Sequence, residues 1–135
     1  MESISLQQLE IVKDLFEQIE EAIDHLVEWN NLYKCANDLL ISPDGMKTLA
    51  ADCMLIEAIG EGIKKIDAKT NGALLPLRSE IPWKLVKGMR DHIAHGYFDI
   101  NVEFVWNVIH DDLYPLKEAV TFFIGYLDNH IRNRY

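Results

Sequence analysis

The stretch SLQQLEIVKDLFEQIEEAIDHLVEWN, residues 5–30, reads as one amphipathic helix and sets the fold class. Leu9, Val12, Phe16, Ile19, Ile23 and Leu26 recur at three- and four-residue spacing, which gathers them on one stripe of a 3.6-residue helix. Glu10, Asp14, Glu17, Glu20, Glu21, Asp24 and Glu28 fill the remaining face, which reads as solvated. Ser3 or Ser5 is the candidate cap and Asn30-Asn31 the stop, with a further short helical stretch possible from Tyr33 to Leu40. Such a stripe has to be covered, and the rest of the chain supplies more helices to cover it. Ser42-Pro43-Asp44 is a helix start, serine capping and proline in the first turn. The helix it opens runs to about Ala68, with Met46, Leu49, Cys53, Ile56, Ile59, Ile63 and Ile66 inward. Gly60 and Gly62 lower its intrinsic helicity by about 1 kcal/mol each relative to alanine, which close packing against another helix would explain. Lys69 to Glu80 is a loop, marked by Asn71-Gly72 and Pro76. A third helix is predicted from Pro82 to His95, with Leu85, Val86, Met89 and Ile93 inward. After a turn at Phe98-Asp99-Ile100 come a short helix over Val102–His110 and a last helix entered near Pro115. That last helix carries Leu116, Val120, Phe123, Ile124, Leu127 and Ile131, and Arg132, Arg134 and Tyr135 read as a frayed tail. No strand alternation and no repeat is seen. The sum is a single all-α domain over residues 1–135, an up-and-down four-helix bundle with one additional short helix.

Composition narrows the function. With 49% hydrophobic residues the chain can build a real core. No apolar run approaches the ~20 residues of a membrane span. Met1-Glu2-Ser3-Ile4 lacks the basic-then-apolar pattern of a secretory signal, so a cytoplasmic protein is expected, with Cys35 and Cys53 as buried thiols. A net charge of −9 argues against a general nucleic-acid binder, which needs a basic stripe to displace counterions. RNA chemistry would need a local basic site, and Lys84, Lys87, Arg90, His92 and His95 crowd into one.

The eight residues Arg90-Asp91-His92-Ile93-Ala94-His95-Gly96-Tyr97 bring a cation, imidazoles and a phenol together at a helix terminus. Gly96 reads as the helix stop. Arg and His suit phosphodiester chemistry without a metal, the first binding phosphate and the second moving protons near neutral pH. On a regular helix Arg90 and His95 lie about 140° apart and ~7.5 Å apart along the axis, so they share no face. Asp91 and His95 do share one, at i and i+4, where the carboxylate could orient the imidazole. The bland alternative is an ordinary charge pair at a helix end.

The spacing Arg-x4-His-x-Tyr resembles the signature of the HEPN superfamily. More narrowly it resembles HepT-like toxins, one half of a bacterial toxin–antitoxin pair whose other half is a minimal nucleotidyltransferase. Ile81-Pro82-Trp83-Lys84, Gly96-Tyr97-Phe98-Asp99, Val105-Trp106, Asp112-Leu113, Leu116-Lys117 and Glu57-Ala58-Ile59-Gly60-Glu61 look like the same family. The likeness is good from about residue 49 to residue 120. It implies a HEPN-like bundle, a metal-independent endoribonuclease with no cofactor, and Arg90, His95 and Asp91 as catalytic residues. It also implies Tyr97 as the acceptor of AMP transferred by the cognate nucleotidyltransferase, an anion placed at the mouth of the Arg–His site. HEPN proteins commonly form homodimers, and a two-fold partner could bring two copies of Arg90 and His95 into one cleft.

Several residues keep two readings. Tyr97 could simply pack over the helix end. His92 is a surface histidine or a secondary phosphate contact, and Lys87 a possible substrate contact. Glu57 and Glu61, one turn apart, invite a metal or acid–base reading, but Lys64 and Lys65 follow at helical spacing and favour a salt-bridged surface. Trp83 and Trp106 are core or interface anchors before they are nucleobase platforms. The competing function is a non-catalytic binding protein that serves a nucleotidyltransferase as substrate or docking partner, for which the acidic surface is suited. RNA is the substrate on the first reading only.

Overall fold

The computed structural model describes residues 3–94 and 98–135. Among the described residues six α-helical segments form an all-α bundle: α1 (Leu6–Trp29), α2 (Pro43–Lys69), α3 (Trp83–Lys87), α4 (Met89–Ile93), α5 (Val102–Asn107) and α6 (Leu113–Arg132). Short 3-10 turns at Ala36–Leu39 and Leu75–Arg78 punctuate the connections. Ser5 caps α1 by accepting from the Gln8 amide at 3.1 Å, and Ser42 caps α2 by accepting from the Gly45 amide at 2.9 Å. At the end of α2, Asn71 (φ 55°) and Gly72 (φ 72°) turn left-handed. Their amides return to the carbonyls of Ala68 at 3.3 Å and Asp67 at 2.9 Å, which satisfies the helix's last acceptors.

Cross-helix pairs give the register. Along α1 and α6, Lys13 meets Asp128, Glu20 meets Thr121 and Asp24 meets Lys117. Numbers rise on one helix as they fall on the other, so the two run antiparallel. The same holds for α1 against α2, where Asn30 bonds Asp52 and Ile19 abuts Gly62. It holds again for α2 against α3–α4, where Asp67 pairs with Lys87 and Glu57 with Arg90. The bundle is therefore up-and-down, as the sequence predicts. Phe16 and Phe123 stack at its centre with ring centroids 5.1 Å apart, and Trp83 leans on Phe123 at 6.0 Å while its Nε1 donates to the Arg78 carbonyl at 3.0 Å. The predicted stripe of α1 is buried in full.

Four details differ from the sequence reading. Met46 and Leu85 are 57% and 42% exposed although both fall on predicted inward stripes. For Met46 the reason is phase: the buried face at the start of α2 passes through Gly45, Leu49 and Asp52, one residue off the predicted stripe of Met46, Leu49 and Cys53. The short helix and the last helix are one rod, joined by a π turn at Val108–Asp112 in which the Leu113 amide reaches the Val108 carbonyl. Pro115, lacking an N–H, cannot serve the carbonyl of Asp111, and the wider turn accommodates that loss inside the rod. The C-terminal tail is pinned. Arg134 donates to the Ile4 carbonyl, the Tyr135 hydroxyl to Glu10 at 2.7 Å, and Arg132 pairs with Asp128 at 3.1 Å. Cys35 is exposed and Cys53 half-buried, so neither is the fully buried thiol expected.

Candidate active site

The third helix is broken, and the break builds the site. It bends at Gly88, whose amide is shared between the carbonyls of Lys84 at 3.2 Å and Leu85 at 3.1 Å. It then ends at Ile93, because Ala94 (φ −156°, ψ 147°) is extended and bridges antiparallel to Ile100. Asn101 fixes the closure from both sides: its amide donates to the Ile93 carbonyl at 2.7 Å, and its side chain caps α5 by accepting from Phe104 at 3.1 Å. The helix thus stops three residues before Gly96, the stop that the sequence suggests. The i,i+4 relation of Asp91 to His95 and the 140° separation of Arg90 from His95 both presume helix through position 94, and both are withdrawn. His95, Gly96 and Tyr97 themselves lie outside the described residues.

Between α2, α4 and this bridge lies an open cleft of about 380 Å³, lined by Ala50, Cys53, Glu57, Arg90, Ile93, Ala94 and Ile100. Its floor is apolar and its rim ionic. Arg90 has 69% of its side chain exposed and is held by Glu57 of α2, with Nε 3.4 Å from Oε1. Burial, reinforced by the nearby charges of Asp52 and Glu57, pushes the Cys53 thiol up to about 11, so it stays a neutral wall residue and not a nucleophile. Asp91 and His92 are exposed, and His92 lies against the Phe104 ring at 5.4 Å. Lys87 is spoken for by Asp67, ten residues from Glu57 along α2, or about 15 Å. Lys87 therefore does not join Arg90 at the cleft, and Arg90 is the cation among its described lining residues. Glu61 pairs with Lys64 at 3.2 Å, as the salt-bridge reading expects, whereas Glu57 does not share that surface network. Trp106 is half-buried with its ring 3.7 Å from the His110 ring. Among the described residues no group of three His, Cys, Asp or Glu side chains is placed to hold a metal ion.

A ribonuclease family model, HepT-like, matches residues 6–122, which takes in the cleft and most of the bundle. The chain belongs to the HepT-like ribonuclease family. It is similar to "Probable ribonuclease HepT" of Thermococcus cleftensis, 36% identical over 107 residues that cover 78% of this chain and 88% of that one. It is also 32% identical over 65 residues to "Putative RNase TTE0752" of Caldanaerobacter subterraneus subsp. tengcongensis, covering 48% of this chain and 54% of the other. No solved structure matches the chain.

Two features of this HepT-like chain escape a reading of motifs. Glu57 is the partner of Arg90, thirty-three positions away, and only the antiparallel register of α2 and α4 brings them together. Asp52 is fully buried, accepting from Asn30 Nδ2 at 2.7 Å, and burial raises its carboxyl to about 6. A lone acid on the predicted inner face of α2 was the available signal for Asp52. For Glu57 the signal was Gly60, which marks where another helix must approach.

Proposed function

We propose that this chain is the toxin of a bacterial toxin–antitoxin pair, a metal-independent endoribonuclease silenced by AMP addition to Tyr97. The observation that carries the nuclease reading is Arg90, a solvent-facing guanidinium on the rim of a cleft in a chain of the HepT-like ribonuclease family. In the proposed reaction the RNA 2′-hydroxyl attacks the adjacent phosphorus and the 5′-oxygen leaves, giving a 2′,3′-cyclic phosphate. His95 carries the proton as general base or acid, and Arg90 stabilises the charge that builds on the phosphate oxygens. An orienting role for Asp91 must come through tertiary approach, since helical register does not supply it. AMP on the Tyr97 phenol, added by a cognate minimal nucleotidyltransferase, puts a phosphate beside Arg90 and blocks RNA by the logic of any added anion.

A homodimer with a composite site belongs to the same proposal. Met46, Ala50 and Met54 repeat at four-residue spacing on α2, all exposed, and the row leads to Cys53 and Glu57 at the cleft. A second copy laid on this apolar row would bring a second Arg90 near the first. A single-chain mass in light scattering at micromolar concentration would sink the dimer.

The deciding experiment is cleavage of a quenched fluorescent RNA with chelator present, wild type beside His95→Ala. Cleavage by the wild type alone supports the nuclease. Silence in both, with an unmodified Tyr97 by mass spectrometry, favours a non-catalytic binding protein, whereas AMP on Tyr97 marks a silenced toxin.

A further inference from the structure

Glu57 contributes little to stability through its contact with Arg90, because both side chains are about half exposed or more and such pairs are screened. Its position is better explained by what it does to the arginine. The contact is made at Nε, the stem side of the guanidinium. The two terminal nitrogens form the opposite edge, the one that grips a phosphate through parallel hydrogen bonds. A carboxylate on the Nε side can therefore hold the group in place by charge and leave its gripping edge open. Other cations near Glu57 are engaged elsewhere, Lys64 by Glu61 and Lys87 by Asp67. Among the described residues Arg90 is the ion-pair partner of Glu57. Beneath the pair the floor of Ala50, Cys53, Ile93, Ala94 and Ile100 carries no charge, so neither member is satisfied from below.

We propose that Glu57 is the positioning residue for Arg90, ordering the guanidinium in the empty cleft and competing for its charge with the arriving phosphodiester. This rests on the reading of Arg90 as the phosphate-binding group. Two opposed consequences follow. The negative charge of Glu57 weakens ground-state binding of RNA, while its contact spares Arg90 the loss of orientation when charge builds in the transition state. Charge thus governs KM and contact governs kcat.

The test compares wild type, Glu57→Gln, Glu57→Ala and Arg90→Ala, each checked for helicity by circular dichroism. In RNA cleavage Glu57→Gln keeps a polar side chain of the same length against the Nε side and lowers KM by about threefold to tenfold with kcat nearly kept. Glu57→Ala lowers KM similarly and lowers kcat about tenfold. Unchanged constants in Glu57→Ala, or a raised KM, overturn the proposal. A second readout does not depend on cleavage: binding of a fluorescent single-stranded 2′-deoxy oligonucleotide, which lacks the attacking hydroxyl. Glu57→Gln should tighten binding, and most of that gain should vanish in the Arg90→Ala background. An equal gain in both backgrounds makes Glu57 a distant charge and overturns the proposal, as does an oligonucleotide that no variant binds. A wild type that cleaves no RNA with Tyr97 unmodified, yet shows the Arg90-dependent gain, would remove the nuclease reading and leave the positioning role standing.

Discussion

The α1–α6 seam and the α2–α4 cleft are both spanned by oppositely charged side chains, yet they are opposite kinds of structure. Along the seam, Lys13–Asp128 and Asp24–Lys117 lie to either side of the stacked rings of Phe16 and Phe123, and both helices run unbroken. At the cleft, Glu57–Arg90 spans a hollow, and the chain leaves helical geometry within four residues of the arginine. In the seam both helices keep their regular ladders, so it is side chains that interact across it. At the cleft the regular ladder has been given up after Ile93, and a cation faces solvent beside the break. On the proposed function, stability and chemistry are thus assigned to different helix pairs of the same bundle.

The largest effect that tests this division is in the seam. Phe123→Ala removes a ring that is fully buried and touches Phe16 and Trp83, and it should destabilise by about 3–5 kcal/mol in chemical denaturation. Cleavage per folded molecule should be unchanged. Next comes Arg90→Ala. On the proposed mechanism, losing this charge should lower RNA cleavage by about 10²–10³-fold, while the melting temperature barely moves because the side chain is mostly exposed. If Arg90→Ala unfolds the protein, or Phe123→Ala selectively abolishes turnover, the division fails.

A third prediction concerns the buried polar pair below the cleft helix. Asp52 accepts from Asn30, while Asp52 Oδ2 and Asn30 Oδ1 are buried without hydrogen-bond partners among the described residues. Burial raises the folded carboxyl to about 6, against about 3.9 for an unfolded aspartate. The folded state therefore holds the proton more tightly. The stability this gives is fully present below the unfolded value and is lost as pH rises through 6, a decline of about 2–3 kcal/mol. Asp52→Asn has no charge to bury, so its melting temperature relative to wild type should climb between pH 4 and pH 7. Parallel pH profiles for the two proteins would refute the raised carboxyl.

Much of the fold is legible because it rests on local chemistry. The stripe of α1, the Ser42-Pro43 start and the Asn71-Gly72 stop each encode their own structure. What escapes the sequence depends on partners far along the chain. Gly96 is the obvious local stop, but Ala94 pairs with Ile100 and Asn101 takes the Ile93 carbonyl, so tertiary closure ends the helix first. Pro115 is visible as a break, yet whether a proline splits two helices or widens one turn depends on how the rod packs. Arg134 looks frayed until the Ile4 carbonyl is seen beside it. The site divides the same way. Arg90 is named by its motif, whereas Glu57 becomes its partner only through the register of two antiparallel helices.

That register offers the smallest and most discriminating test, through three glycines that lie within helices. Replacing any of them by alanine gains about 1 kcal/mol of helix propensity, so differences between them report what the new methyl meets. At Gly125 a Cβ has open space, and Gly125→Ala should stabilise by roughly that amount. At Gly62 it would come 3.1 Å from the Ile19 Cδ1, the mobile end of a side chain that can give way, and the gain should be largely cancelled. At Gly60 it would come 2.9 Å from the Val86 carbonyl oxygen, which belongs to α3 and cannot move without moving the helix. Gly60→Ala should therefore be destabilising by about 1 kcal/mol net, the overpacking penalty exceeding the propensity gain. Because Gly60 lies one turn from Glu57, pushing α3 outward should also loosen the grip on Arg90. Gly60→Ala should lose some cleavage where Gly62→Ala, facing α1, loses none. Equal activity in the two variants would show that the cleft tolerates displacement of α3, and that the close α2–α3 approach serves packing alone.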